Sequence, residues 1–137
     1  MDFIIKIYDK ISLFFGHIKV ALKNLFSYFF IKVYFFIAYA INLFLWLAVY
    51  FYYSRFNQDI AILHYNIDFG IDLIGNKNYL FFIPISSLFF IIIYQIILSK
   101  FLSNNDFKFW SHFLSSFLLL FNIFLIFILF TIYYINF

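Results

Sequence analysis

The sequence predicts an all-α membrane protein: three transmembrane helices preceded by cytoplasmic-side amphipathic helices, with a short extended or hairpin-like outer loop. Three observations predict it. Of 137 residues, 67% are hydrophobic and 11% charged. That is more apolar surface than a chain this small can turn inward, so its solvent is lipid. Three runs of about 20 residues, the length that crosses a bilayer, contain no Asp, Glu, Lys or Arg. Finally, five lysines crowd ahead of the first run.

The segment 1–32 reads as interfacial. Lys6 and Lys10, then Lys19 and Lys23, repeat at helical spacing, but on one straight helix the two pairs would face opposite sides. A break at Gly16 is therefore expected. It gives each half its own polar side, Asp2, Lys6, Asp9 and Lys10 first, then His17, Lys19, Lys23, Asn24 and Ser27. With Lys32, these lysines are expected to meet anionic lipid headgroups. The competing reading makes the second half part of a longer span with snorkelling lysines, at the cost of cations close to the hydrocarbon.

The membrane domain, 33–137, holds spans at about 33–53, 79–98 and 112–134, joined by an outer loop at 54–78. Cytoplasmic flanks carry the excess of Lys and Arg. The five N-terminal lysines, together with Lys100 and Lys108 between spans two and three, outweigh Arg55 and Lys77 in the first loop. The N-terminus is thus expected inside, and the first loop and C-terminus outside. Tyr50, Tyr52, Tyr53, Tyr79, Tyr133 and Tyr134 gather at the expected outer ends, and Tyr28, Tyr34 and Trp110 at the inner ones, as aromatic belts do.

Within the spans, Asn42 and Asn122 fall at one depth and are expected to hydrogen-bond. Gln95 is expected to join spans two and three through Ser115 or Ser116. Ser86 and Ser87 are expected to bond back to their own helix near Pro84.

In the outer loop, Leu63, Tyr65, Ile67, Phe69, Ile71 and Leu73 alternate with His64, Asn66, Asp68, Gly70 and Asp72. A period of two argues for extended chain, its apolar face lying on the helix ends, and it closes in the turn signal Gly75-Asn76-Lys77-Asn78. Gly70 offers a bulge or a bend that folds the stretch into a hairpin. The polar residues invite a metal site or an acid/base pair. Against both stands the plainer reading that they satisfy loop backbone and face water; only a bend at Gly70 would make them converge.

The run His64-Tyr65-Asn66, then Gly70, Asp72, Gly75 and Lys77, leading to Pro84 in the next span, resembles a bacterial membrane domain of unknown function. That domain is also found at the N-terminus of Sdp-type immunity proteins, which protect cells from a membrane-active peptide toxin. The resemblance covers roughly 33–98 and implies two spans flanking a short outer loop. The whole chain is also similar to short uncharacterised membrane proteins of Patescibacteria type with low G+C genomes. That likeness implies a multi-pass protein of a bacterial plasma membrane.

Several chemistries are excluded. The absence of cysteine removes disulfides and thiolate chemistry. No ionisable residue lies deep in a span, as proton relays and ion pathways require. No phosphate-binding loop, nucleophile–base pair or nucleic-acid face is present, so no cofactor, metal, nucleic-acid partner or enzymatic activity is expected. The expected function is that of a non-enzymatic binding or interaction protein using the outer-loop residues His64, Asn66, Asp68, Gly70, Asp72 and Gly75, with membrane lipids and another membrane protein or a peptide as partners. The alternative is a structural accessory subunit of a larger membrane complex, such as an organelle respiratory complex.

Overall fold

The computed structural model describes residues 2–55, 59–66 and 70–137. In chain order they form α1 (Asp2–Leu25), α2 (Phe29–Arg55), strands β1 (Ile60–Asn66) and β2 (Gly70–Asn76), a 3₁₀ turn (Lys77–Phe81), α3 (Phe82–Phe101) and α4 (Phe107–Asn136). Three helical segments, Phe29–Arg55, Lys77–Phe101 and Phe107–Asn136, are long and apolar enough to cross a membrane. Each contains one of the expected spans, and the short connection 102–106 places the last two antiparallel.

The N-terminal segment departs from expectation. α1 runs unbroken through Gly16. A mid-helix glycine costs only about 1 kcal/mol relative to alanine, and a Cβ added at Gly16 would meet nothing within 4 Å, so no close approach there demands a glycine. The lysine pairs consequently sit on different sides of a single helix. Lys10, Lys19 and Lys23 are exposed, as are Tyr8, Leu13 and Val20; the side chains of Lys6 and His17 lie outside the described residues. α1 touches α3, and Leu22 and Leu25 in its last turn join the bundle core. It stops where the N–H groups of Phe26, Ser27 and Tyr28 and the Ser27 hydroxyl take up the carbonyls of Leu22, Asn24 and Leu25, groups that a helix end leaves without partners. α2 then starts at Phe29, ahead of the expected span, and Lys32 lies exposed in its first turn.

The bundle has a regular seam. Buried positions on α2 are Ile31, Phe35, Ala38, Asn42, Leu45 and Val49. On α4 they are Phe107, Ser111, Ser115, Leu118, Asn122, Leu125, Leu129 and Ile132. Steps of four and three alternate along α2 and, from Ser111 onward, along α4, the spacing of a left-handed helical seam. The core divides into two apolar clusters. One, at the α1 end, is built around Leu25, Phe35, Ile91, Leu98 and Leu118. The other, at the hairpin end, is built around Leu45, Val49, Leu80, Leu125 and Leu129.

Between the clusters lies a polar layer, and it corrects the expected Asn42–Asn122 contact. Asn42 Nδ2 donates to the Pro84 carbonyl at 2.8 Å and to Ser87 Oγ at 2.9 Å. Ser87 Oγ donates to Asn122 Oδ1 at 2.5 Å, and Asn122 Nδ2 donates to the Leu118 carbonyl at 2.8 Å. The amides are joined through Ser87 because all three spans meet at that depth. Ser86 bonds back to the Ile83 carbonyl as expected, whereas Ser87 does not.

Gln95 also differs: Nε2 donates to the Tyr39 hydroxyl of α2 at 2.9 Å, tying α3 to α2 instead of α4. Ser115 is fully buried, and among the described residues its hydroxyl has no hydrogen-bond partner. Ser116 is exposed. Neither serine is bonded to Gln95, because Ser115 occupies the seam of α4 whereas Gln95 reaches Tyr39 on α2.

Candidate functional site at the hairpin end

The loop between the first two spans, expected on the outer side, holds an antiparallel hairpin, in the bent form that Gly70 allowed. Gly70 opens β2 with φ 77°, a left-handed value that glycine adopts without strain. The register pairs Ile60 with Asn76, Ala61 with Gly75, Ile62 with Ile74, His64 with Leu73, Tyr65 with Ile71, and Asn66 with Gly70. Leu63 is the extra residue on β1 and Asp72 the extra residue on β2. These two bulges cancel, so the ladder regains its register after two local kinks.

The bulges explain why the expected apolar face does not form. Leu63 packs against the hairpin-end cluster, but Ile71, Leu73 and Ile74 are 49%, 53% and 58% exposed. Strict alternation would have put Leu63, Ile71 and Leu73 together on the helix ends. Folding at Gly70 moves the last two onto a second strand, and each bulge breaks the parity between the strands.

Four contacts fix the hairpin to the bundle. At its base, Lys77 donates its backbone N–H to the Asp59 carbonyl and pairs its ammonium with the Asp59 carboxylate, both at 3.0 Å. The same ammonium lies 4.9 Å from the centre of the Tyr53 ring, within cation–π range. Gly75 is the second contact: a Cβ there would stand 2.6 Å from Leu63 Cδ1 and 2.8 Å from Tyr79 Cδ2. Third, Asn76 Oδ1 accepts the Asn78 N–H at 2.9 Å and starts the 3₁₀ turn leading into α3.

The fourth contact is Asn136, at the end of α4. Its Oδ1 accepts the Ile62 N–H at 2.9 Å, and its Nδ2 donates to the Ile62 carbonyl at 2.8 Å and to the Ile132 carbonyl at 2.7 Å. One side-chain amide thereby does for β1 what a neighbouring strand would do. Since both polar groups of Ile62 point away from β2, Ile62 and Ile74 form a non-hydrogen-bonded pair, and the N–H and C=O of Ile74 point away from β1. The sheet thus has one edge held by α4 and one edge, along β2, turned outward.

Of the expected loop residues, His64 is exposed on β1, and the ladder brings its position to a rung next to that of Asp72. Asn66 and Gly70 close the ladder beside the turn. Asp68 lies outside the described residues, as do the side chains of Asn66 and Asp72. Among the described residues no three of His, Asp or Glu gather as ligands for a metal ion.

Sequence reasoning missed Asn136, the link that Ser87 makes between Asn42 and Asn122, and the Asp59–Lys77 pair. Asn136 gave a partial signal as an amide one residue beyond a charge-free, aromatic-rich run, but nothing local identifies a strand 74 positions away as its partner. At the opposite end, His112 stacks on Phe30 with ring centres 4.7 Å apart and meets the Tyr34 hydroxyl through Nδ1 at 3.2 Å. It borders a wide-open groove of about 670 Å³ that also includes Asn105, Lys108 and Ser116. That groove is a broad surface depression with no buried polar group directed into it, so the hairpin end is the stronger candidate site. No family model, curated protein or solved structure matches the chain.

Proposed function

We propose that this small multi-pass membrane protein is a non-enzymatic binding protein that captures an extended polypeptide along β2. The observation carrying this reading is the asymmetry of the hairpin. Its β1 edge is occupied by Asn136, while β2 holds Ile71, Leu73 and Ile74 about half exposed beside outward-pointing backbone groups. Strand addition uses that combination: main-chain hydrogen bonds give affinity and alternate side chains give specificity. Prior fixation of the hairpin lowers the ordering cost of binding. The likeness of the His64-Tyr65-Asn66 to Lys77 run to the domain found in peptide-toxin immunity proteins supports the same class of ligand.

The reading also places the N-terminus in the cytoplasm and the hairpin and C-terminus outside a bacterial plasma membrane. Lys10, Lys19, Lys23, Lys32, Lys100 and Lys108 share the α1 end, against Arg55 and Lys77 at the hairpin end, and the positive-inside rule supports that orientation. The N-terminal lysines then face anionic headgroups of the inner leaflet.

Ile74→Pro is the decisive test. Proline removes an N–H that the β1–β2 ladder does not use and is tolerated at a strand edge. The variant is expected to insert and migrate like the parent, yet to lose the product crosslinked from a photoreactive residue at Leu73 in native membranes. Retained crosslinking would refute strand addition. Crosslinking from lipid-facing Phe36 alone, with migration only in a large assembly, would make the chain a structural subunit instead. Because the chain has no cysteine, Lys10→Cys and Ile71→Cys report orientation cleanly. Only the second should react with an impermeant maleimide in intact cells.

A further inference from the structure

We propose that α1 is one in-plane anchor for an anionic phospholipid leaflet, with its apolar side sunk among the acyl chains and a lysine pair on each edge holding phosphates. The placement follows from a helix that is unbroken from Asp2 to Leu25. At about 100° per residue, the Ile11 and Ile18 positions mark the centre of one side. Lys10 and Lys19 then fall about 90° to either hand of that centre, and Lys6 and Lys23 about 130°. The half of the helix between Lys10 and Lys19 holds no charged residue, and it includes Ile4, Ile7, Leu22 and Leu25. Asp2 and Asp9 lie nearly opposite its centre.

That segregation of charge selects the partner. A helix lying flat at a bilayer surface presents its edges to phosphates and its far side to water, so cations belong at the edges and carboxylates away from them. Lys10, Lys19 and Lys23 are exposed, and among the described residues no carboxylate pairs with them. The two lysine pairs are also staggered, one on each edge and roughly 14 Å apart along the axis at 1.5 Å per residue. Phosphates engaging both pairs would stop the helix from rolling.

The bundle sets which way the apolar side faces. Leu22 and Leu25 lie on that side and pack into the apolar core at this end of the bundle. α2, apolar enough to cross a membrane, begins four residues after Leu25. Hydrocarbon therefore continues from the core along the same side of α1. Ile7 and Tyr8, farther toward the N-terminus on that side, are 43% and 72% exposed and stand clear of the bundle's cover. Leu13 and Val20 make the sharper case: both are apolar, yet they fall on the side of Asp2 and Asp9. Flat docking leaves these two in water, where hydropathy alone would bury them.

The docking rests on the headgroup contact proposed above for the lysines, adds its depth and edges, and holds on either side of the membrane. The test uses the full chain, which has no cysteine, spin-labelled singly at Ile7→Cys, Leu13→Cys or Val20→Cys. It is reconstituted in phosphatidylcholine vesicles with or without phosphatidylglycerol, and collisions with oxygen and with a water-soluble nickel chelate read the depth of each label. With phosphatidylglycerol present, the Ile7 label is expected to favour oxygen and the Leu13 and Val20 labels nickel. Each of Lys6→Gln, Lys10→Gln, Lys19→Gln and Lys23→Gln should lower the docked-to-free ratio of the Ile7 label about fivefold, the equivalent of ~1 kcal/mol per lysine at an anionic surface. Arginine at the same position should restore it. Three labels that all favour nickel overturn the proposal, as does an Ile7 label equally deep with and without phosphatidylglycerol, or a Leu13 label as deep as Ile7. None of these variants touches β2, so crosslinking from Leu73 should persist in all of them, and α1 docking and polypeptide capture can fail separately.

Discussion

The two ends of the bundle are held together by different physics. At the α1 end apolar and aromatic contacts dominate, beside the Tyr34–His112 and Gln95–Tyr39 hydrogen bonds: Leu25, Phe35, Leu98 and Phe107 share one cluster, Tyr28 meets Phe107 at 5.0 Å, and His112 stacks on Phe30. At the hairpin end, directional polar contacts are added to an apolar base, namely the Asn136 clamp, the Asp59–Lys77 pair and the Asn76 cap. The difference follows the backbone. Helices satisfy their own N–H and C=O groups, so packing alone suffices where helix meets helix. A two-stranded hairpin leaves edge groups over, is marginal by itself, and needs an amide such as Asn136 to complete it. The hairpin's polar side chains thus sit where the chain stops being helical, whereas those between helices tie one span to another.

The largest effect that sharpens this contrast is expected at Gly75. Gly75→Val drives branched carbons into Leu63 and Tyr79 and should cost about 1–3 kcal/mol, the usual range for overpacking. Hydrogen exchange should localise the loss to the hairpin and the start of α3. An effect spread evenly to the α1 end would break the distinction between the ends.

Next is the polar layer. Asn122→Leu removes the acceptor of Ser87, and a double-mutant cycle with Ser87→Ala should give a coupling of about 0.6–2 kcal/mol, the span measured for hydrogen bonds in membranes. Zero coupling in a detergent unfolding assay would mean that the layer does not hold the spans in register.

Asn136→Leu keeps the volume of the side chain but removes its three hydrogen bonds. A local loss of roughly 1 kcal/mol is expected, the net worth of a typical hydrogen bond. Exchange of the Ile62 amide should rise about fivefold with the helices unaffected.

Smallest and of opposite sign is Ser115→Ala. It deletes a buried hydroxyl without a partner, so stability should stay level or rise by up to about 1 kcal/mol. A clear destabilisation would show that the hydroxyl does have a partner in the membrane.

Much of the fold was legible because the bilayer imposes a coarse rule: length and absence of charge marked the three spans. The seam was not, since in helices apolar on every side the 3.6-residue period carries little contrast. Its trace was confined to small and polar residues. Ser111, Ser115 and Asn122 recur at steps of four and seven on one stripe of α4, and Ala38 and Asn42 stand four apart on α2. Depth alone suggested pairing Asn42 with Asn122, but depth cannot tell which of three helices supplies the intervening group. The hairpin was half legible. Alternation and Gly70 pointed to it, but no local residue pattern marked the bulges at Leu63 and Asp72. Gly16 misled because two lysine pairs were taken to require two polar faces, whereas lysines on different sides of one helix can all remain exposed.

The polar layer has a consequence for the order of synthesis. Asn42 is already served by the Pro84 carbonyl and the Ser87 hydroxyl, both on α3, so the first two spans can settle as a pair while α4 is still being made. In such a pair the Ser87 hydroxyl lacks the Asn122 acceptor that α4 supplies. When the last span arrives, Asn122 can accept that proton at only one height, because sliding by a turn of about 5.4 Å would leave it unmatched. Assembly is thereby ratcheted: the newborn pair waits with one open valence, and the final helix docks by filling it.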